Sequence, residues 1–145
     1  MSKQYDYDIS KVIVVVGTHS ISGFVDAEMF TVTLDAPENT TTVDIHGNST
    51  ITKSNNLNAT CTLFLTQSSP SNSVLSNFMN AKRQNPNLGM FPVSISDGNS
   101  DTLLTSLSAW VQKAPDITYG NTPSNREWEI RLTNVAKYIG GAKTV

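Results

Sequence analysis

The sequence predicts a mainly β domain, an antiparallel β-barrel or two-sheet sandwich, with one flanking α-helix over about residues 70–83 and a long protruding hairpin arm over about residues 35–56. The first observation is the alternation within residues 57–65, where leucines, an alanine and a cysteine share one face and mostly polar residues share the other. That pattern is typical of a half-buried strand. The second observation is a single apolar stripe at helical spacing within residues 74–79.

The predicted helix has a start signal and a stop signal. Ser69 can cap its amino end with the side-chain oxygen, and Pro70 suits the first helical position, where a missing N–H costs no hydrogen bond. The segment Asn85 to Asn87 contains a proline, which disfavours helical backbone in the residue before it. A sheet with one helix packed against it is therefore the architecture that the sequence favours.

Length and composition limit the classes of protein. A chain of 145 residues predicts a single domain, 1–145, long enough to bury a core without disulfides. Cys61 is the only cysteine, which excludes an internal disulfide and a cysteine zinc cluster, and its place on the apolar strand face favours a buried, inert thiol. A net charge of −2 gives no electrostatic reason to wrap nucleic acid. No signal peptide or membrane-length apolar run is recognisable, so we expect a soluble protein folded in a reducing cytoplasm.

The residues before the arm predict an antiparallel meander. Val12 to Val16 is apolar on both faces, as in a strand that is covered on both sides. Residues 17–20 form a turn, Ile21 to Phe24 return as a short strand, and Glu28 to Leu34 alternate as the next strand.

The arm is the longest polar stretch of the chain. Between Asp35 and Asn56 only Val43, Ile45 and Ile51 are large and apolar, which is too few to hold a segment in a core. The residues alternate on both sides of a turn signal at His46, Gly47 and Asn48. A structureless stretch of this length within a compact domain is uncommon. The alternation therefore predicts a long hairpin that stands off the body and has a function.

The residues after the helix predict the rest of the sheet. Phe91, Val93 and Ile95 alternate with polar residues, and Pro92 places that strand at an edge or makes its start irregular. Residues 103–111 fit a helix through Leu103, Leu107, Trp110 and Val111, or a strand whose one face carries Leu103, Thr105, Leu107, Ala109 and Val111. The Asp-Gly turn signal before them favours the strand. Residues 114–125 read as a loop. The last predicted strand points Trp128, Ile130 and Leu132 inward, for a total of about seven to nine strands.

The residues provide no positive support for an enzyme or for a cofactor or metal site. His19 and His46 both lie in predicted turns without a second ligand at metal-binding spacing. Glu127 and Glu129 share a strand face beside Arg131, which could be a catalytic carboxylate pair but is better explained as a solvated or subunit-facing row of charges. No glycine-rich phosphate loop is present.

Four stretches, taken in order, resemble the tail-tube structural proteins of contractile-tailed bacteriophages (myoviruses), and the similarity runs over nearly the whole chain. The stretches are Tyr7 to Val12 leading to Ile21 to Phe24; Leu63 to Leu75; Lys113 to Asp116 with Tyr119-Gly120; and Arg126 to Trp128 closing on Gly140-Gly141.

This resemblance implies a structural virion protein that self-assembles into stacked hexameric rings, the inner tube of a contractile phage tail and the conduit for DNA ejection. Pyocin and type VI secretion tubes share that plan. The implied partners are further copies of the chain, the tail sheath, the baseplate and the tail terminator. DNA would pass through the lumen without sequence-specific binding, no membrane is involved, and assembly would take place in the host bacterial cytoplasm.

The resemblance also implies roles for particular segments. The arm fills the position of the hairpin that reaches the next ring, and Met1 to Ser10 would take part in contacts between subunits. The candidates for contacts between rings are Asp35, Glu38, Asp44, His46 and Lys53. The candidates for a lumen or subunit face are Glu127, Glu129 and Arg131.

The alternative is a monomeric β-sandwich binding module, either lectin-like or an accessory tail protein. It is suggested by a surface rich in serine, threonine and asparagine together with Trp110 and Trp128, which could stack on sugars. Trp128 alternates with core residues, however, so burial is favoured for its side chain.

Overall fold

The computed structural model of the chain describes residues 4–5 and 7–141. A short 3-10 helix (Ile9–Lys11) precedes the first strand, and α1 spans Ser71–Gln84. The strands in chain order are β1 (Val12–Val16), β2 (His19–Ser20), β3 (Phe30–Leu34), β4 (Asn39–Val43), β5 (Ser49–Lys53), β6 (Ala59–Leu65), β7 (Phe91–Asp97), β8 (Leu103–Lys113), β9 (Arg126–Thr133) and β10 (Ala136–Tyr138).

The strands form one large antiparallel sheet and one separate hairpin. The large sheet has the order β2-β1-β7-β8-β9-β6-β3, with β10 paired to the amino-terminal part of β8. Strands β4 and β5 pair only with each other. The prediction of a mainly β fold with one flanking helix and a hairpin arm is confirmed. The ladder of the described strands does not close into a barrel, because β3 pairs with β6 alone and β2 with β1 alone.

The core lies on one face of the central strands. In β6 and β9 every second residue is buried, and in register Cys61 faces Ile130 while Leu63 faces Trp128. The predicted inward faces of both strands are therefore confirmed. Burial raises the pKa of the Cys61 thiol from 9.0 to about 12, so the thiol is protonated and unreactive at neutral pH.

Helix α1 closes part of this core. Leu75 is fully buried, and the Phe78 ring packs against Phe91 with ring centroids 4.7 Å apart. Pro70 already has helical dihedral angles, and the Ser69 hydroxyl accepts a hydrogen bond from the Ser71 N–H at 3.2 Å, as the predicted cap requires. No helix in the described part of the chain is both long and apolar enough to cross a bilayer.

Four strand predictions differ from the structure. The short strand β2 lies at His19–Ser20, inside the predicted turn, and of the predicted strand Ile21 to Phe24 only Phe24 pairs, in an isolated bridge with Leu65. In β1 only Val14 and Val16 are buried and Ile13 is 46% exposed, so this strand is covered on one face and not on two. In β8 a break in register between Phe91–Ala109 and Val93–Ser106 turns Ser106 inward and leaves Leu107 90% exposed. Strand β10 was absent from the prediction, because three residues carry no clear period.

Candidate assembly surfaces

The arm is a regular two-stranded hairpin that projects from the body. Thr41 pairs with Ile51 and Val43 with Ser49, and every residue of β4 and β5 is exposed. Asp44 closes the tip, where its carboxylate accepts hydrogen bonds from the His46 N–H at 2.9 Å and from the Asn48 N–H at 2.8 Å. These bonds, those from Asn48 first, lower the pKa of Asp44 below 3.8.

The two faces of the arm differ in chemistry. In the register of the hairpin, one face carries only threonine side chains, those of Thr40, Thr42, Thr50 and Thr52. The opposite face carries Val43 and Ile51 as diagonal neighbours, with Lys53 next along β5. Val43 is 64% exposed and Ile51 is 72% exposed, and Ile45 at the tip is 95% exposed. We call the surface of Val43, Ile45, Ile51 and Lys53 the aliphatic arm face.

Two ion pairs hold the base of the arm to the body. Asp35 forms a two-pronged pair with Arg131 of β9, in which one N–H to carboxylate distance is 2.8 Å, and Glu38 pairs with Lys137 of β10. The partners are separated by 96 and 99 residues in the sequence, so sequence patterns could not show them. The Ser54 N–H also donates to the Glu38 carbonyl at 2.9 Å. The direction of the arm is thus fixed where it leaves the sheet.

The five predicted arm residues therefore lie in three environments. Asp35 and Glu38 are at the ion-paired base, and Asp44 is engaged in its own turn. His46 and Lys53 are exposed and outside both ion pairs, which leaves their side chains available to a partner.

The Asp35–Arg131 pair predicts how the arm base responds to acid. The hydrogen bond from Arg131 is the largest cause that holds the pKa of Asp35 below its ordinary 3.8. A carboxylate with a lowered pKa stabilises the folded state above its unfolded pKa, and that contribution is lost as the pH falls through the folded pKa. We expect an NMR titration of the Asp35 carboxyl carbon to have its midpoint below 3.8, and to return towards 3.8 in Arg131→Gln. Asp44, whose pKa is lowered by hydrogen bonds from Asn48 and not by Arg131, serves as the internal control, and an unchanged Asp35 midpoint in Arg131→Gln would contradict the assignment.

The predicted lumen or subunit face lies on β9. Glu127 and Glu129 line a shallow surface depression together with Thr62, Lys113 and Asp116. Arg131, in contrast, is committed to Asp35 and also donates to the Thr60 hydroxyl at 3.2 Å. The structure therefore brings the two glutamates together and places the arginine in the arm base.

A groove of about 600 Å³ opens where the sheet fails to close, and sequence reasoning missed it. It lies between the segment that leads into the free edge strand β3 and the ends of β1, β7 and β8. We call it the seam groove. Its main apolar lining residues are Tyr7, Ile9, Val12, Phe30, Leu104 and Ile139.

The amino-terminal rim of the seam groove is fixed by backbone contacts. The Asp8 N–H donates to the Asn99 side chain at 2.9 Å, and the Asn99 amide returns a bond to the Asp8 carbonyl at 2.8 Å. The rim residues Tyr7 and Ile9 are 73% and 49% exposed. Residues 1–3 and 6 of the predicted subunit-contact segment Met1 to Ser10 lie outside the described residues. The only sign of this rim in the sequence was the presence of Tyr7 and Ile9, two large side chains with apolar surface, in an otherwise polar segment.

Trp110 and Trp128, the two candidates for sugar stacking, are both engaged by other side chains of the chain. Trp128 is 3% exposed and its indole N–H donates to the Asn72 side chain at 2.9 Å, so it is part of the core. The Trp110 ring lies under the Lys82 ammonium, 5.2 Å from the ring centroid. His19 contacts the Ser71 hydroxyl at 2.9 Å, and no group of three potential metal ligands occurs among residues 4–5 and 7–141.

Comparisons with known proteins first define the class of fold. The chain is similar to the anti-feeding prophage cap (AFP tube terminating cap), with a TM-score of 0.67 at 16% identity over 95% of this chain and 94% of that one. It is also similar to the sheath/tube terminator of the PVC extracellular contractile injection system, with a TM-score of 0.62 at 17% identity over 94% and 99% of the two chains. A chain of the PVC sheath-tube complex matches with a TM-score of 0.60 at 16% identity over 93% of each. The fold is thus one found in contractile injection systems.

Sequence comparison then gives the family. The model of the bacteriophage PhiTE tail tube protein family matches residues 1–140, and the chain belongs to that family. A protein described as structural protein ORF10 of Pseudomonas phage KPP10 is 30% identical over 131 residues, which cover 88% of this chain and 75% of that protein. The resemblance to phage tail tube proteins is confirmed. The chain is a structural component of a phage tail, and its family points to a non-enzymatic role in the virion.

Proposed function

We propose that the chain self-assembles into stacked hexameric rings that form the inner tube of a contractile phage tail and the conduit for DNA ejection. The observation that carries this proposal is the arm, a folded hairpin with exposed aliphatic side chains that the chain itself does not cover. Such side chains favour burial against another molecule. Membership of a tail tube family supports the tube itself over a terminator or a cap.

In this proposal the arm reaches the adjacent ring. His46, Lys53 and the aliphatic side chains make the contacts, while Asp35 and Glu38 set the direction of the arm from its base and Asp44 keeps the tip folded. A contact that joins unlike surfaces head to tail propagates without limit, which is what a stacked tube needs.

The face with Glu127 and Glu129 is proposed to line the lumen or a subunit contact. The three carboxylates of Glu127, Glu129 and Asp116, partly offset by Lys113 and beside the Thr62 hydroxyl, would repel a passing polyanion weakly and offer no base-specific hydrogen bonding. DNA would therefore slide through without being held.

The proposed partners are other copies of the chain, the sheath, the baseplate and the tail terminator. The structures with a similar fold are described as a tube-terminating cap, a sheath/tube terminator and a sheath-tube complex, which supports a place beside such proteins. Assembly is proposed to take place in the host cytoplasm, where the free, buried thiol of Cys61 would stay reduced.

Negative-stain electron microscopy of the purified chain over a concentration series tests this function. We expect rings with a central hole at moderate concentration, tubes of stacked rings at higher concentration, and sixfold symmetry in end-on class averages. Apolar burial that is distributed over many repeated contacts makes the onset steep in concentration. Monomers at every concentration, with purified baseplates present as nuclei, would contradict the proposal and favour the monomeric binding module.

A further inference from the structure

We propose that the aliphatic arm face of one copy docks into the seam groove of another copy. This inference rests on the proposed function, and it names the surface that receives the arm. Both surfaces are apolar and are left uncovered by the described residues. The aliphatic arm face lies on a projecting hairpin, and the seam groove lies at the open edge of the sheet.

The seam groove leads directly to the hydrophobic core. Ile95 at its floor is a core residue, and Phe30 and Leu104 are partly buried side chains packed against the core. An incompletely covered core loses the free energy that full burial of these side chains would provide. An apolar occupant therefore stabilises the receiving subunit as well as the contact.

The chain cannot fill the groove with its own arm in this structure. No arm residue is among those that line the groove, and Val43, Ile45 and Ile51 all remain largely exposed. The ion pairs of Asp35 and Glu38 fix the arm at its base. The arm that docks must therefore belong to a second copy.

The charges of the two surfaces are complementary. Among residues 4–5 and 7–141, the charged side chains that line the groove are acidic, namely Asp26, Glu28 and Asp97. The aliphatic arm face carries Lys53 beside Ile51, and this lysine takes part in neither ion pair of the described residues. Opposite charges at the rim of an apolar contact set the register of docking and raise the association rate.

The size of the groove is also suitable. About 600 Å³ is within the range of roughly 300–1,000 Å³ for clefts that hold a small ligand, so the groove can hold several aliphatic side chains. Val43 and Ile51 are diagonal neighbours on one face, roughly 7–8 Å apart, so both can enter one groove together. The threonine face of the arm would then point away from the receiving subunit.

Site-directed cross-linking of full-length chains tests the docking. One preparation carries Ile51→Cys, a second carries Ile139→Cys and a mass tag, and the two are mixed at the concentration where the wild type assembles or, without assembly, at the highest soluble concentration. Copper-phenanthroline is the oxidant, and the mass tag identifies heterodimers. If the arm docks as proposed, we expect a disulfide between the cysteines introduced at positions 51 and 139. Its formation would show that the two Cα atoms approach within about 7 Å, the limit for a disulfide. Cys61 gives no background, since it is buried and its pKa is raised to about 12.

The matched control is Thr52→Cys mixed with the same Ile139→Cys chain. Thr52 is adjacent to Ile51 in sequence but belongs to the threonine face of the arm. The inference requires the Ile51 pair to form disulfide more than ten times faster than the Thr52 pair. Equal rates, or no Ile51–Ile139 disulfide, would overturn it.

A charge-reversal pair provides an independent readout. Lys53→Glu is expected to raise the concentration needed for assembly about threefold, the size expected for one exposed ion pair. Glu28→Lys in the same chain is expected to restore it, and failure of this rescue counts against the docking. Electron microscopy of the same samples tests the proposed function separately. Tubes that form without the cross-link would support the tube function and overturn the docking. Particles without rings would overturn the function itself.

Discussion

Removing the arm is expected to abolish assembly while leaving the body folded. In the variant, residues 40–53 are replaced by two glycines, which can span the gap between Asn39 and Ser54 because the Ser54 N–H already bonds to the carbonyl of Glu38, the residue before Asn39. The bond from Ser54 to Glu38 and the Glu38–Lys137 pair remain. Since β4 and β5 pair only with each other and bury no residue, we expect a melting temperature within about 2 °C of the wild type and no rings or tubes in the microscope.

The control for this deletion keeps the arm and changes only the threonine face, which the proposed docking does not use. Thr40→Ser and Thr52→Ser together retain the hairpin and the polar surface, so assembly should be unchanged. Tubes that form normally without residues 40–53 would refute a role of the arm in assembly. A large drop in melting temperature would show that the arm contributes to the fold instead.

Truncation of Trp128 is expected to produce the largest loss of stability. Its side chain is 3% exposed, faces Leu63 across the sheet and donates to Asn72 of α1, so it joins the sheet to the helix. Asn72 in turn donates to the Thr66 carbonyl at 3.1 Å. Trp128→Ala should lower the free energy of unfolding by about 4 kcal/mol, measured by urea unfolding followed by circular dichroism at a concentration where the chain is monomeric.

Two further variants separate the causes of that loss. Trp128→Phe keeps most of the apolar ring but leaves the Asn72 carbonyl oxygen without its donor, and should cost about 1–2 kcal/mol. Leu107→Ala removes a side chain that is 90% exposed and should change stability by less than about 0.5 kcal/mol. Similar losses in Leu107→Ala and Trp128→Ala would contradict the assigned core.

The elements with a strong local period could be predicted from the sequence. The alternation in β6 and β9 and the apolar stripe of α1 each depend on near neighbours in the chain, and the structure has all three. The arm followed from the opposite signal, a long polar stretch with weak alternation. In β8 the same reasoning placed Leu107 on the wrong face, because a register break opposite Phe91 and Val93 cannot be read from one strand alone.

The candidate site could be predicted only in part, because its geometry comes from residues distant in sequence. The sequence indicated the arm and the acidic pair Glu127 and Glu129, but not that Arg131 would hold Asp35 across 96 residues. The seam groove depends on where the sheet stops closing, which is a property of the whole topology. Short apolar segments at its rim, such as the one containing Tyr7 and Ile9, carry no period that would mark them as a surface.

The ion-paired base of the arm has a kinetic consequence for tube growth. A hairpin that is already folded and aimed loses little conformational entropy when it meets its receptor, in contrast to a tail that orders on contact. Each added ring should then be captured at a rate governed by diffusional encounter, with a weak dependence on temperature. Acid would release this preorganisation only once the pH falls through the lowered pKa of Asp35, below 3.8, and elongation would then slow.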